Sequence, residues 1–237
     1  ITIDKVCTAR YTDFSKQERT AVMKKTLYSL MLNDEVVREV DALAHRMGTS
    51  RSALIERILA EYVNYTTPER RVNDILSAME QLMAPERDLI PFFAPNTFSL
   101  SLKSSLEYKY RPTVKYEVEL YRGNEESIGA LSVVFRTQSA ELIRAMTAFF
   151  RLWKQLEDRH RPGVSAGAVS YALYEGKFVR SLALPDRDCG TEELAEAISN
   201  YIKLFDRLMK GWLRGSLDAH EIEAAYYSYL IHSDIHI

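Results

Sequence analysis

The spacing of apolar and polar positions changes character along the chain. Residues 1–23 alternate irregularly and read as an N-terminal arm. Lys24-Lys25-Thr26-Leu27-Tyr28-Ser29-Leu30-Met31-Leu32 is then a β-prone run, stopped by Asn33-Asp34, a pair suited to a helix N-cap. Val36, Val37, Val40, Leu43, Ala44 and Met47 follow at helical spacing, beside Arg38, Glu39 and Asp41. Gly48 is placed to end that helix in the left-handed region. Thr49 and Ser50 cap a second helix, whose apolar face is Ala53, Leu54, Ile55, Ile58, Leu59 and Tyr62.

A strand followed by two helices cannot satisfy its own strand edges or cover both apolar stripes. The unit therefore predicts an obligate dimer, with the two strands paired antiparallel and four helices interlocked. Alternation along the strand sends Tyr28, Leu30 and Leu32 inward, where they join Val40, Ile55 and Ile58 in the expected dimer core. Leu27, Ser29 and Met31 face outward.

Thr66-Thr67-Pro68 closes this module, because proline disfavours helix for the residue before it. Val72 to Met83 reads as a further helix, and Ala84–Asn96, with prolines at 85, 91 and 95, as an irregular connection. Beyond Thr97 the period becomes two. Runs 97–110, 114–121 and 128–135 read as strands, 139–158 as a helix, 167–174 and 177–184 as strands, and 191–213 and 217–231 as helices. The expected organisation is an arm (1–23), a strand–helix–helix module (24–66), a helix and linker (67–96) and an α+β domain (97–237).

The last part repeats itself. Leu120-Tyr121-Arg122-Gly123 echoes Leu173-Tyr174-Glu175-Gly176. Glu141, Leu142, Ala145, Leu152 and Leu156 recur 52 residues later as Glu193, Leu194, Ala197, Leu204 and Leu208. The expectation is a duplicated hairpin–helix unit within one sheet.

At 237 residues and 46% apolar composition the chain can bury a substantial core, and 27% charged residues is ordinary for a soluble protein. Disordered and collagen-like classes are excluded. No apolar run approaches the roughly 20 residues of a membrane helix, and no signal peptide is visible. The two cysteines, Cys7 and Cys189, point to a reducing, cytoplasmic setting. Net charge is −2, but residues 1–28 carry six basic groups against three acidic ones, so the positive charge gathers at the start.

Residues 25–65 resemble the ribbon-helix-helix family of bacterial regulators. The likeness rests on Leu32-Asn33-Asp34-Glu35 after the strand, Met47-Gly48-Thr49-Ser50-Arg51-Ser52-Ala53-Leu54-Ile55 at the turn, and Glu61-Tyr62 near the helix end. It covers about a sixth of the chain. The resemblance implies double-stranded DNA as partner, read in the major groove by a two-stranded ribbon, with Leu27, Ser29 and Met31 toward base edges. Only Ser29 can hydrogen-bond there, which departs from the Arg, Lys, Thr, Asn or Gln usual in the family. Phosphate contacts fall to Lys24 and Lys25 beside the ribbon, and to Ser50, Arg51 and Ser52 at the second helix's N-terminus.

Other chemistry has little support. His232, Asp234 and His236 lie at the end of the sequence, with His45, His160 and His220 scattered, so no closed ligand set forms and neither metal nor cofactor is expected. There is no phosphate loop, nucleophile elbow or His–carboxylate motif. Cys189, entering a helix, has no nearby base in sequence and reads as a loop residue. The aromatics Tyr108, Tyr110, Tyr116, Tyr121, Phe149, Phe150, Trp153, Tyr171 and Tyr174 read as core, with a ligand pocket as the alternative. The expectation is a non-enzymatic, dimeric DNA-binding regulator of α+β class, whose C-terminal domain senses a ligand or joins dimers. Two alternatives stay open: an accessory DNA-binding protein of plasmid or mobile-element transfer, and a scaffold that uses the ribbon only to dimerise.

Overall fold

The computed structural model describes residues 26–92, 98–107, 111–122, 127–160, 169–174 and 176–237. Its first helices, α1 (Asp34–Arg46) and α2 (Arg51–Tyr62), form a hairpin. The Glu35 amide donates to Asn33 Oδ1 at 2.8 Å, while Asp34 and Glu35 in the first turn and His45 and Arg46 in the last complement the helix dipole. Gly48 reverses the chain at φ 61°, which lets the Thr49 amide donate back to the Ala44 carbonyl at 3.0 Å. The Ala53 amide donates to Ser50 Oγ at 3.2 Å, and α2 stops at Asn64, whose φ is 53°.

The β-prone run is corrected here. Residues 26–33 are neither helix nor strand in this one chain, and all are exposed. A ribbon strand obtains its ladder from a second strand, and none is available within the described residues.

Pro68 also departs from expectation. It does not simply close the preceding module; it opens α3 (Pro68–Met83) from the first turn, with Thr67 Oγ1 accepting from the Arg70 amide at 3.2 Å. At the first helical position proline gives up an amide that would have had no partner, and its φ is already helical.

Six strands form one antiparallel sheet: β1 (Leu89–Phe92), β2 (Ser99–Ser105), β3 (Thr113–Leu120), β4 (Gly129–Phe135), β5 (Tyr171–Tyr174) and β6 (Lys177–Leu182), in the order β1-β2-β3-β4-β6-β5. β1 lies inside the stretch expected to be irregular. It is an edge strand, where Pro91 can sit without breaking a central ladder. The run expected over 97–110 is shorter as β2, and Tyr108 and Tyr110 lie outside the described residues, as do residues 167–168 of the fifth run.

The remaining helices are α4 (Ala140–His160), α5 (Thr191–Arg214) and α6 (Ala219–His232). Alternate strand residues, among them Leu102, Val114, Tyr116, Val118, Leu131, Val133 and Phe178, are buried with α3, α4 and α5. Phe205 of α5 centres an aromatic cluster, its ring 4.9 Å from Trp153 and 5.3 Å from Phe149. Inside this core lies an ion pair with no exposed side-chain surface: Arg180 Nε donates to Glu157 Oε2 at 2.9 Å. Tyr171 and Tyr201 donate hydroxyl bonds to the same carboxylate at 2.6 and 2.9 Å, which makes its burial tolerable. The other alternation of the sheet, including Ser99, Lys103, Glu117 and Ser132, is more open.

Candidate nucleic-acid interface

Exposure varies along the extended segment before α1. Leu27 and Met31 are 95% and 102% exposed, whereas Leu30 and Leu32 are 55% and 46% exposed. Ser29 is exposed with the first set and Tyr28 is exposed as well. Tyr28, in the register of Leu30 and Leu32, is 81% exposed and does not share their partial cover. Lys24 and Lys25 lie outside the described residues.

The helical hairpin has almost no core of its own. Among the described residues of α1 and α2 only Ala44 and Leu54 are buried; Val40 and Ile55 are half-buried and Ile58 is exposed. More than half of the exposed large apolar side chains in the described chain lie between Leu27 and Tyr65, including Val36, Met47, Leu59 and Tyr62. On soluble proteins, large contiguous patches of such side chains mark interaction sites.

Ser50, Arg51 and Ser52 meet at the N-terminus of α2. The Ser50 side chain caps Ala53 and its carbonyl accepts from Leu54, leaving the amides of Arg51 and Ser52 for an outside acceptor. Such an end favours phosphate. The Arg51 side chain is less available than the sequence suggested: its Nε and Nη2 donate to the two carboxylate oxygens of Asp41 on α1. That hydrogen bond and the carboxylate charge raise the guanidinium pKa. Asp41 was missed because its approach to Arg51 depends on the α1–α2 turn, and a ten-residue spacing has no meaning within one helix.

Residues 29–66 match the model of the ribbon-helix-helix protein, copG family. They form a ribbon-helix-helix segment. The match starts within the extended run and ends at Thr66, just before the Thr67 cap of α3. No curated protein and no solved structure matches the chain.

Beyond the ribbon-helix-helix segment, residues 71–237 carry 20 basic and 23 acidic groups, so general attraction to phosphate is not expected there. Cys189 is buried, its thiol 3.3 Å from the Arg187 carbonyl. His160 pairs with Glu223 at 2.7 Å, and His232 Nδ1 lies 2.7 Å from the Ser228 carbonyl. Tyr116, Phe149, Phe150 and Trp153 are core residues, Tyr121 and Tyr171 are half-buried, and Tyr174 is exposed. No described helix is long and apolar enough to cross a membrane.

Proposed function

We propose that this protein is a dimeric DNA-binding transcriptional regulator. Residues 24–66 hold DNA, and residues 97–237 sense a ligand or join dimers. The observation that carries this reading is the ribbon-helix-helix match over residues 29–66, coinciding with an apolar face that one chain leaves uncovered. A second copy would pair the 26–32 segments, bury Tyr28, Leu30, Leu32, Val40, Ile55 and Ile58, and present Leu27, Ser29 and Met31 to the major groove. Backbone contacts from Lys24, Lys25, Ser50, Arg51 and Ser52 then supply most of the affinity, and Ser29 a modest base preference.

The test is selection of genomic fragments by the purified protein, followed by anisotropy titration of the recovered site and a scrambled duplex. Binding of both at low salt, with preference for the recovered site, supports the regulator. A dimer that retains neither duplex at low salt rejects it and leaves the scaffold reading, which the exposed and non-polar Leu27 and Met31 favour.

The burial pattern also supports common descent of the two hairpin–helix halves. Leu142, Met146, Phe149, Trp153 and Leu156 of α4 are buried, and so are Leu194, Ile198, Tyr201, Phe205 and Leu208, each 52 positions later on α5. β4 and β6, the second strand of each hairpin, pair antiparallel between the two hairpins.

A further inference from the structure

Where the chain passes from the ribbon-helix-helix segment into α3, it runs along the lip of a cleft of about 620 Å³. That volume falls within the range of small-molecule sites, roughly 300–1,000 Å³. One wall is the first two turns of α3, the floor is the turn end of the β3–β4 hairpin, and the far wall is the 184–189 loop with the start of α5. Val72, Ile75, Leu120, Ile128, Leu184 and Leu194 make the lining mainly aliphatic.

The polar groups in this lining are chiefly donors. Arg71 Nη2 donates to the Cys189 carbonyl at 2.8 Å and lies 3.8 Å from Asp188, beyond hydrogen-bond reach. Its Nε and Nη1 make no hydrogen bond among the described residues, and Nη2 keeps a second hydrogen, so one forked edge of the guanidinium, shared by Nη2 and a neighbouring nitrogen, remains for an incoming carboxylate. The hydroxyls of Tyr121 and Ser127 also line the cleft without a hydrogen bond to described residues. Burial and the nearby Glu119 raise the Tyr121 pKa, so its phenol keeps its proton at neutral pH. Of the other charges nearby, Arg187 is spent, and Asp188 is the ion-pair partner that an incoming carboxylate must displace from Arg71. Arg187 is paired with Glu193 at 2.7 Å, and Asp186 and Asp188 stand exposed on the loop, Asp188 with its side chain wholly in solvent.

We propose that this cleft binds a small monocarboxylate with an apolar body, its carboxylate on Arg71 and its body on the aliphatic wall. The proposal rests on the reading of the C-terminal part as a sensor. Thr66 and Pro68, which join α2 to α3, line the same cleft, so an occupant touches the joint that carries the DNA-binding hairpin.

The experiment uses the full chain, without DNA, and two probes of the same shape, 2-naphthoate and neutral 2-naphthol, titrated by calorimetry. Wild type should bind naphthoate at one site per chain. Arg71→Gln should weaken naphthoate about tenfold or more and change naphthol by no more than about twofold. Leu184→Trp, which fills the cleft from an exposed position, should abolish both; circular dichroism of both variants checks that the fold is kept. Absence of naphthoate binding by wild type up to millimolar concentration overturns the proposal. So does binding that survives Leu184→Trp, which would place the probe on the apolar ribbon-helix-helix face, or equal loss of both probes in Arg71→Gln. Because no DNA is present, these outcomes are independent of the DNA-binding reading, which is tested by the duplex titration.

Discussion

Replacing Asp41 by alanine should strengthen DNA binding, which is an unusual direction for a substitution in a DNA-binding module. In the free protein the Asp41 carboxylate occupies Nε and Nη2 of Arg51 with both its oxygens. Both side chains are about half exposed, at 55% and 42%, so a phosphate must either displace Asp41 or accept only from Nη1 and the backbone amides. Alanine frees the whole fork and removes a negative charge from the phosphate's path, while an exposed pair of this kind leaves the fold unaffected. On duplex DNA each neutralised phosphate steepens the log–log salt dependence by about 0.9. One newly engaged Arg51 is therefore worth about eightfold in affinity at ~0.1 M salt relative to 1 M, and the two of a dimer about sixtyfold. The assay is fluorescence anisotropy at four or more salt concentrations, on the selected site and on a scrambled duplex. The gain should be the same on both, because backbone contacts carry no sequence information. Asp41→Asn, which keeps the shape and loses the charge, should fall between wild type and alanine. If Asp41→Ala weakens binding or leaves the salt slope unchanged, the reasoning fails: Arg51 either needs Asp41 to hold its pose or does not touch phosphate.

Other consequences follow from the same geometry. Ile58→Asp puts a charge into the expected dimer core, and sedimentation at low micromolar concentration should show monomer where wild type shows dimer; a stable wild-type monomer rejects the dimer reading. Arg180→Met leaves the Glu157 carboxylate buried without its ion-pair partner and should cost about 3–5 kcal/mol in urea unfolding followed by tryptophan fluorescence. Adding Glu157→Leu should recover a large part of that loss, and a double variant no more stable than the single one contradicts the account. Tyr116, Tyr171 and Tyr201 have pKa values raised chiefly by burial, so they stay protonated in the folded state after unfolded phenols begin to ionise near pH 10. Their contribution is fully present below that pH and is lost above it. Between pH 10 and 11 stability should fall by about 1 kcal/mol for each phenol, about 3 for the three, and a flat profile over that range refutes it.

Local signals accounted for most of the elements. Asn33, Gly48 and Ser50 act at the caps where the sequence put them, because capping is a matter of a few adjacent residues. The two-residue alternation found β2, β3, β4, β5 and β6, most plainly β3, where every second residue from Val114 to Leu120 is buried. Proline misled twice, for one reason. Pro68 and Pro91 were read as breakers, yet a missing amide does no harm at the first helical position or on a sheet edge, and which position a proline will take depends on elements it meets later in folding.

The proposed binding face rests on strand alternation and on the helix N-terminus. Strand alternation assigns Leu30 and Leu32 to one face and Leu27 and Met31 to the other, since a period of two needs no partner to be read. Strand structure itself requires a neighbouring strand, so in one chain the same residues remain extended and exposed. The Arg51–Asp41 pair was hidden for a related reason: it exists only once the turn at Gly48 lays α2 against α1. The buried Arg180–Glu157 pair was hidden too, its members 23 residues apart on a strand and a helix. These omissions have a physical pattern. Apolar burial is written periodically in the chain, whereas charge pairing is set by which surfaces fold against each other, and a ribbon-helix-helix segment defers much of that choice to its second copy. The hairpin's scarcity of buried side chains beside the filled core of α3–α6 follows from the same division. The larger part draws its stability from its own chain, and the proposed dimer assigns most of the hairpin's to association.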